Sequence, residues 1–196
     1  MPNPINKKEA KRIATKKRIL ATATHLFARL GYHKTTIQDI AYHIGMTTGA
    51  VFHYYDSKSD ILDDVVKELD QSFDRYIEYL GKSHTDYKTL INGIMDIFTD
   101  RFHYQPDNII ALASLAAEFS GIRGPVMIKT QAAYDKFADA LENALNQISK
   151  NKTNRAAAIC FISGLQGVAL QALIRDDEMD IDTLVAGFVS LVTGNR

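Results

Sequence analysis

The segment TTGAVFHYYDSK, residues 47–58, holds most of the information about the architecture. Drawn as a helix capped by Thr47 and running to about Tyr55, it sets Val51 and Tyr55 one turn apart on one face. Gly49 and His53 share the opposite face, with Ala50 and Phe52 beside them. One side packs on the preceding helices; the other is offered outward. That outer side is low in relief where the helix begins, because Thr47, Thr48, Gly49 and Ala50 are all small. A glycine inside a helix costs about 1 kcal/mol against alanine, and close approach of the backbone to a partner gives it a reason. A DNA major groove, about 12 Å wide, takes an α-helix with its N-terminal residues toward the base edges. Thr47 and Thr48 then reach bases through hydroxyls or methyls, and His53 and Tyr54 sit at the phosphate walls. Lys58, in the first turn of the next helix, adds a cation to backbone N–H groups that already point outward.

On either side of this segment the chain reads as helices. Ile19, Leu20, Ala23, Leu26, Phe27 and Leu30 form one amphipathic stripe that Gly31 stops. Thr35 and Gln38 make a capping box for a short helix whose inner face is Ile37, Ile40, Ala41 and Ile44, ended by Gly45. Ser57 caps a long helix whose apolar period runs from Leu62 through Phe73 and Tyr76 to Leu80 and stops at Gly81. Five more patterns cover roughly 86–104, 106–120, 125–149, 152–175 and 180–193. No strand alternation and no internal repeat appears. The expectation is an all-α protein: an arm and three short N-terminal helices in residues 1–56, and a larger helical bundle in 57–196.

A chain of 196 residues with 46% hydrophobic content is long enough to bury a core. Its single cysteine, Cys160, excludes an intrachain disulfide and a cysteine zinc cluster, and predicts a reducing compartment. The charged N-terminus has no apolar run behind it, so no secretory signal is expected and a cytoplasmic location is. Net charge is zero but unevenly spread: residues 1–60 hold ten Lys/Arg against four Asp/Glu, and the remainder is correspondingly acidic. A basic front suits a polyanion, and the cations from Lys7 to Arg18 add phosphate attraction that is blind to sequence and weakens with salt. Residues 156–174 carry no charge, which is membrane-span length, yet Ser163, Gln166 and Gln171 interrupt them. A buried or subunit-interface helix is the expected reading, with no membrane. The acidic run 176–182 lacks the spacing of a calcium loop. No HExxH, GxSxG, phosphate-binding or dinucleotide fingerprint occurs, so no metal, no cofactor and no catalysis is expected.

Residues 18–62 carry a Gly-x-x-x-Thr-Thr segment, a hydrophobic "DIA" helix, a Gly turn, an aromatic-rich helix and a Ser-Lys start to the fourth helix. In this combination the chain resembles the DNA-binding domain of the tetracycline-repressor (TetR) family. Phe52 stands where that family commonly has tyrosine, and His53 where a second aromatic is usual. With the resemblance, the expected DNA-facing set is Lys34, Thr36, Thr47, Thr48, Gly49, Ala50, Phe52, His53, Tyr54 and Lys58. The resemblance further implies a homodimer paired through its last two helices and a near-palindromic operator in double-stranded DNA. It also implies a small-molecule effector, partly apolar, whose binding releases a repressor by tilting the long fourth helix. Such a ligand cavity would draw on Met95, Phe98, Arg101, Phe102, Phe119, Tyr134, Phe137 and Gln166. An all-α adaptor that uses its apolar C-terminal patch on a protein partner is the competing class.

Overall fold

The computed structural model describes residues 6–175 and 178–194. Asp176 and Asp177, at the start of the acidic run, therefore lie outside the described residues, as do the first five of the N-terminal arm. Ten helices follow among the described residues: α1 Lys7–Leu30, α2 Ile37–His43, α3 Thr48–Phe52, α4 Lys58–Gln71 and α5 Asp74–Leu80 come first. Then come α6 Tyr87–Tyr104, α7 Pro106–Glu118, α8 Pro125–Ile148, α9 Asn154–Ile174 and α10 Ile181–Thr193. The fold is all-α, with helix-turn-helix elements at the front and a helical bundle behind.

Most boundaries fall where capping chemistry puts them. Asn6, Thr47, Ser57, Asp86 and Asp180 each accept a backbone N–H of the first turn they precede. Four local features differ from the sequence expectation. The basic arm is itself helical, so α1 begins at Lys7. The capping box of α2 sits one residue later, between Thr36 and Asp39, because the fully buried Thr35 turns its hydroxyl back to the Gly31 carbonyl at 2.8 Å. α3 closes at Phe52 rather than near Tyr55. The long fourth helix is broken into α4 and α5 at Ser72 and Phe73, where the Ser72 hydroxyl donates to the Leu69 carbonyl.

One core runs through the molecule. Ile19, Ala23 and Phe27 of α1 are fully buried, as are Ile40, Val51 and Ile61 from the next three helices. α1 packs along α7, α4 lies against α1 and α8, and α8 packs on α9. Tyr76 stacks on Phe137 with ring centroids 4.9 Å apart, tying α5 to α8. α9 is long and apolar enough to cross a membrane by length and composition, yet Ala158, Phe161, Ile162, Leu165, Ala169 and Ala172 are buried in the bundle.

Candidate functional site

The front of the molecule aims one small-residue edge at solvent. Val51 and Tyr55, at 0% and 5% exposure, are sunk into the core, and α3 packs against α2. Gly45, at φ +67°, supplies the left-handed turn that lets α3 cross α2. The Arg18 guanidinium donates to the Ile44 carbonyl at 2.9 Å, so this cation of the former arm closes the end of α2. Thr47 accepts the Ala50 N–H at 3.1 Å and caps α3. Gly49 is exposed, and a methyl group built on it meets nothing within 4 Å. Internal packing therefore does not demand glycine there. Phe52 and His53 are exposed beside it, Thr48 and Ala50 are half-buried, and Tyr54 packs partly on the core. Tyr42 of α2, outside the expected set, is 82% exposed; it lies off the apolar stripe, which is why periodicity passed over it.

Behind this edge the loop 31–35 is clamped from two directions. The Lys58 ammonium donates to the Tyr32 carbonyl at 2.8 Å and the Thr35 carbonyl at 2.7 Å, and lies 4.2 Å over the Tyr32 ring. The sequence reading aimed this cation outward; the structure turns it inward, because the loop carbonyls offer acceptors within reach. From the other side Glu118, at the end of α7, accepts the N–H groups of Tyr32 and His33, both at 2.7 Å. Asp107, at the start of α7, accepts from the Arg29 guanidinium at 3.1 Å and lies 2.7 Å from His25 Nδ1. Lys34 and Thr36 are exposed on this loop, and the Thr36 hydroxyl is engaged with Asp39.

In the bundle, Ser72, Phe73, Tyr76, Phe98, Arg101, Asn108, Ile109, Leu112, Tyr134, Phe137, Ile162, Leu165 and Gln166 surround one crevice. Five residues expected of a ligand cavity meet here: Phe98, Arg101, Tyr134, Phe137 and Gln166. Three do not line it. Met95 is buried in the core, Phe102 packs beside Phe98 with centroids 6.4 Å apart, and Phe119 sits 5.5 Å from both Tyr32 and His33 near the loop clamp. The crevice is nearly shut, with about 30 Å³ of free volume, room for little more than water. Gln166 donates to the Tyr134 hydroxyl oxygen. Burial pushes that phenol up to about 12, with the hydrogen bond from Gln166 opposing the shift. Ser72 and Phe73, the break between α4 and α5, form part of the wall. A separate cavity of about 330 Å³ lies among Tyr87, Leu141, Ile148, Asn154 and Phe161. No group of three or more His, Cys, Asp or Glu placed to hold a metal occurs among the described residues.

Residues 19–65 match the family described as "Bacterial regulatory proteins, tetR family". The chain is 34% identical over 73 residues to the "HTH-type transcriptional repressor KstR2" of Rhodococcus jostii, a match that covers 37% of this chain and 36% of that protein. It thus spans well under half the length of this curated relative. Among solved structures it superposes on the MbdR regulator from Azoarcus sp. CIB with a TM-score of 0.79 at 21% identity, covering 90% of this chain and 95% of the other. AibR, solved in complex with isovaleryl coenzyme A and operator DNA, gives a TM-score of 0.72 at 18% identity, over 90% and 96% of the two chains. At these identities the structural likeness shows the fold.

Proposed function

Residues 19–65 match the tetR family of bacterial regulatory proteins, and we propose that the chain is a cytoplasmic, homodimeric repressor that binds a near-palindromic operator and is released by a small molecule. The observation that carries the reading is the α3 edge. Thr47 to Ala50 form a flat surface at a helix start, Gly49 has open space around it, and Val51 and Tyr55 hold the helix from behind. That is the relief a major groove accepts.

The homodimer is supported by the outer face of α9. Ala156, Cys160, Ser163, Gly167, Leu170 and Ile174 alternate at spacings of four and three, and every one is exposed. Such a stripe of small and apolar residues suits close helix packing. Leu191 of α10, 79% exposed, extends the apolar surface. A two-fold pair would present two α3 helices to half-sites about one turn, roughly 34 Å, apart or a small multiple of that.

Release is supported by what lines the crevice. It touches the break between α4 and α5, and it touches α7 through Asn108, Ile109 and Leu112, while the far end of α7 holds loop 31–35 through Glu118. A ligand that opens the crevice moves the two elements that carry the DNA-facing front. It shifts the equilibrium only by binding the released conformer more tightly, with coupling of about 1–3 kcal/mol typical of such systems.

Gel retardation of genomic fragments, with excess non-specific competitor, tests the reading. Retention of a discrete subset, weakening as salt rises, is expected; indifference among fragments would leave a non-specific binder or an adaptor.

A further inference from the structure

We propose that the crevice between α5, α6, α7, α8 and α9 selects an anionic effector: an apolar carboxylic acid whose carboxylate pairs with Arg101 and whose body lies among Phe98, Tyr134, Phe137 and Ile162. The inference rests on the ligand-responsive reading above and adds the chemistry of the ligand.

Arg101 is half-buried in the wall and makes no ion pair with a carboxylate among the described residues. The neighbouring cations behave differently: Arg75 is matched by Asp100 and Lys136 by Asp74, both at 2.8 Å. The Arg101 guanidinium instead lies over two rings, 5.3 Å from the Tyr76 centroid and 5.8 Å from that of Phe73. A partly desolvated guanidinium without a counter-charge, beside an aromatic lining, is a fork suited to carboxylate.

Among the remaining polar groups Tyr134 offers a donor. The Tyr134 oxygen already accepts from Gln166, so its own O–H proton is free to donate into the crevice. The Ser72 hydroxyl and the Asn108 side-chain amide donate to Leu69 and Gln105 within the protein. No Asp or Glu lines the space. A cationic ligand is disfavoured twice over, because the ring faces of Phe73 and Tyr76 are already covered by Arg101 and a second positive charge there is repelled.

Entry is set by the Tyr134–Gln166 hydrogen bond. Those two residues and Ile162 belong both to the crevice and to an outer groove of about 300 Å³ between α8 and α9, lined further by Asp135, Ala138, Ile159 and Ser163, the last also on the α9 stripe proposed to meet the second copy. Parting the hydrogen bond joins the shut inner space to the outer one and gives a volume in the range of small-molecule sites.

Titration calorimetry of the full chain with octanoate and phenylacetate, with octanamide and octyltrimethylammonium alongside, tests the assignment. Saturable binding of at least one acid is expected, weakened at least about tenfold in Arg101→Gln, with the amide and the cation binding no better to the native chain than to the variant. Circular dichroism of Arg101→Gln, and Gln166→Ala as a second variant that keeps the cation and admits the acid, guard against misfolding. Equal acid affinity in native and Arg101→Gln protein, preference for the amide or the cation, or no acid binding by native protein overturns the proposal. Operator retardation measured on the same samples separates the two readings. Acid binding without any DNA retardation retires the regulator and keeps the site, whereas retardation without acid binding does the reverse.

Discussion

The Lys58 ammonium ties the start of α4 to loop 31–35 through the carbonyls of Tyr32 and Thr35, which precede it by 26 and 23 residues in the chain. Replacing it with methionine keeps the stem and removes the donor, leaving part-buried carbonyls without a partner. A loss of about 1–3 kcal/mol in stability is expected, read by urea unfolding, with DNA affinity falling alike for every sequence because no base edge is involved. Asp64 is a second residue of this kind. It lies 2.7 Å from the Lys16 ammonium and accepts from the Tyr55 hydroxyl at 3.1 Å, and the hydrogen bond from Lys16 holds its carboxyl below the usual carboxylate range. A depressed folded value stabilises the protein above the unfolded value of about 3.9 and loses that contribution as pH falls through the folded value. Thermal midpoints measured from neutral pH downward should therefore drop less steeply in Asp64→Asn than in the native chain below about pH 4. Parallel curves would show that the pair contributes nothing to folding.

Helices α6 to α10 were legible in the sequence because their apolar stripes are local: five patterns read at roughly 86–104 through 180–193 became five helices with nearly those bounds. The break after Gln71 was not, since Leu69, Phe73 and Tyr76 keep the helical period straight through it and remain buried on both sides. Adjacent threonines likewise hid which one caps α2; only the burial of Thr35 decides for Thr36. Charge concealed the helix in residues 7–18, where few apolar residues mark a face. Of the candidate site, the exposed α3 edge and the grouping of five residues around the crevice were legible as placements, whereas the clamp by Glu118 and the inward turn of Lys58 depend on contacts between distant segments that no spacing announces. One consequence at this scale concerns α9 and α10. A methyl group on Gly164 would come within 2.5 Å of the Phe188 ring. Gly164→Ala should cost about 1–3 kcal/mol through overpacking, seen as a lower thermal midpoint with helix content retained. An unchanged midpoint would mean that Phe188 swings aside freely.

Assembly and response belong to the whole molecule. Leu170, 47% exposed on the α9 stripe, lies on the face assigned to the second copy. Leu170→Asp should shift sedimentation from dimer to monomer at micromolar concentration and weaken operator binding, because one α3 helix then meets one half-site; a dimer that survives the change would move the interface elsewhere. The α4–α5 break and α7 both line the crevice, and α7 also holds loop 31–35, so in the proposed release crevice and clamp are two ends of shared elements. Everything depends on the threonine-led edge of α3 entering duplex DNA. Selection of binding sites from random duplexes, run with native protein and with Thr48→Ala, tests this most directly. A near-palindrome with half-sites about one helical turn apart or a small multiple should be recovered, with a loss of preference in the variant confined to matching positions in each half. Recovery of no symmetric motif, or of one that Thr48→Ala leaves unchanged, would contradict it.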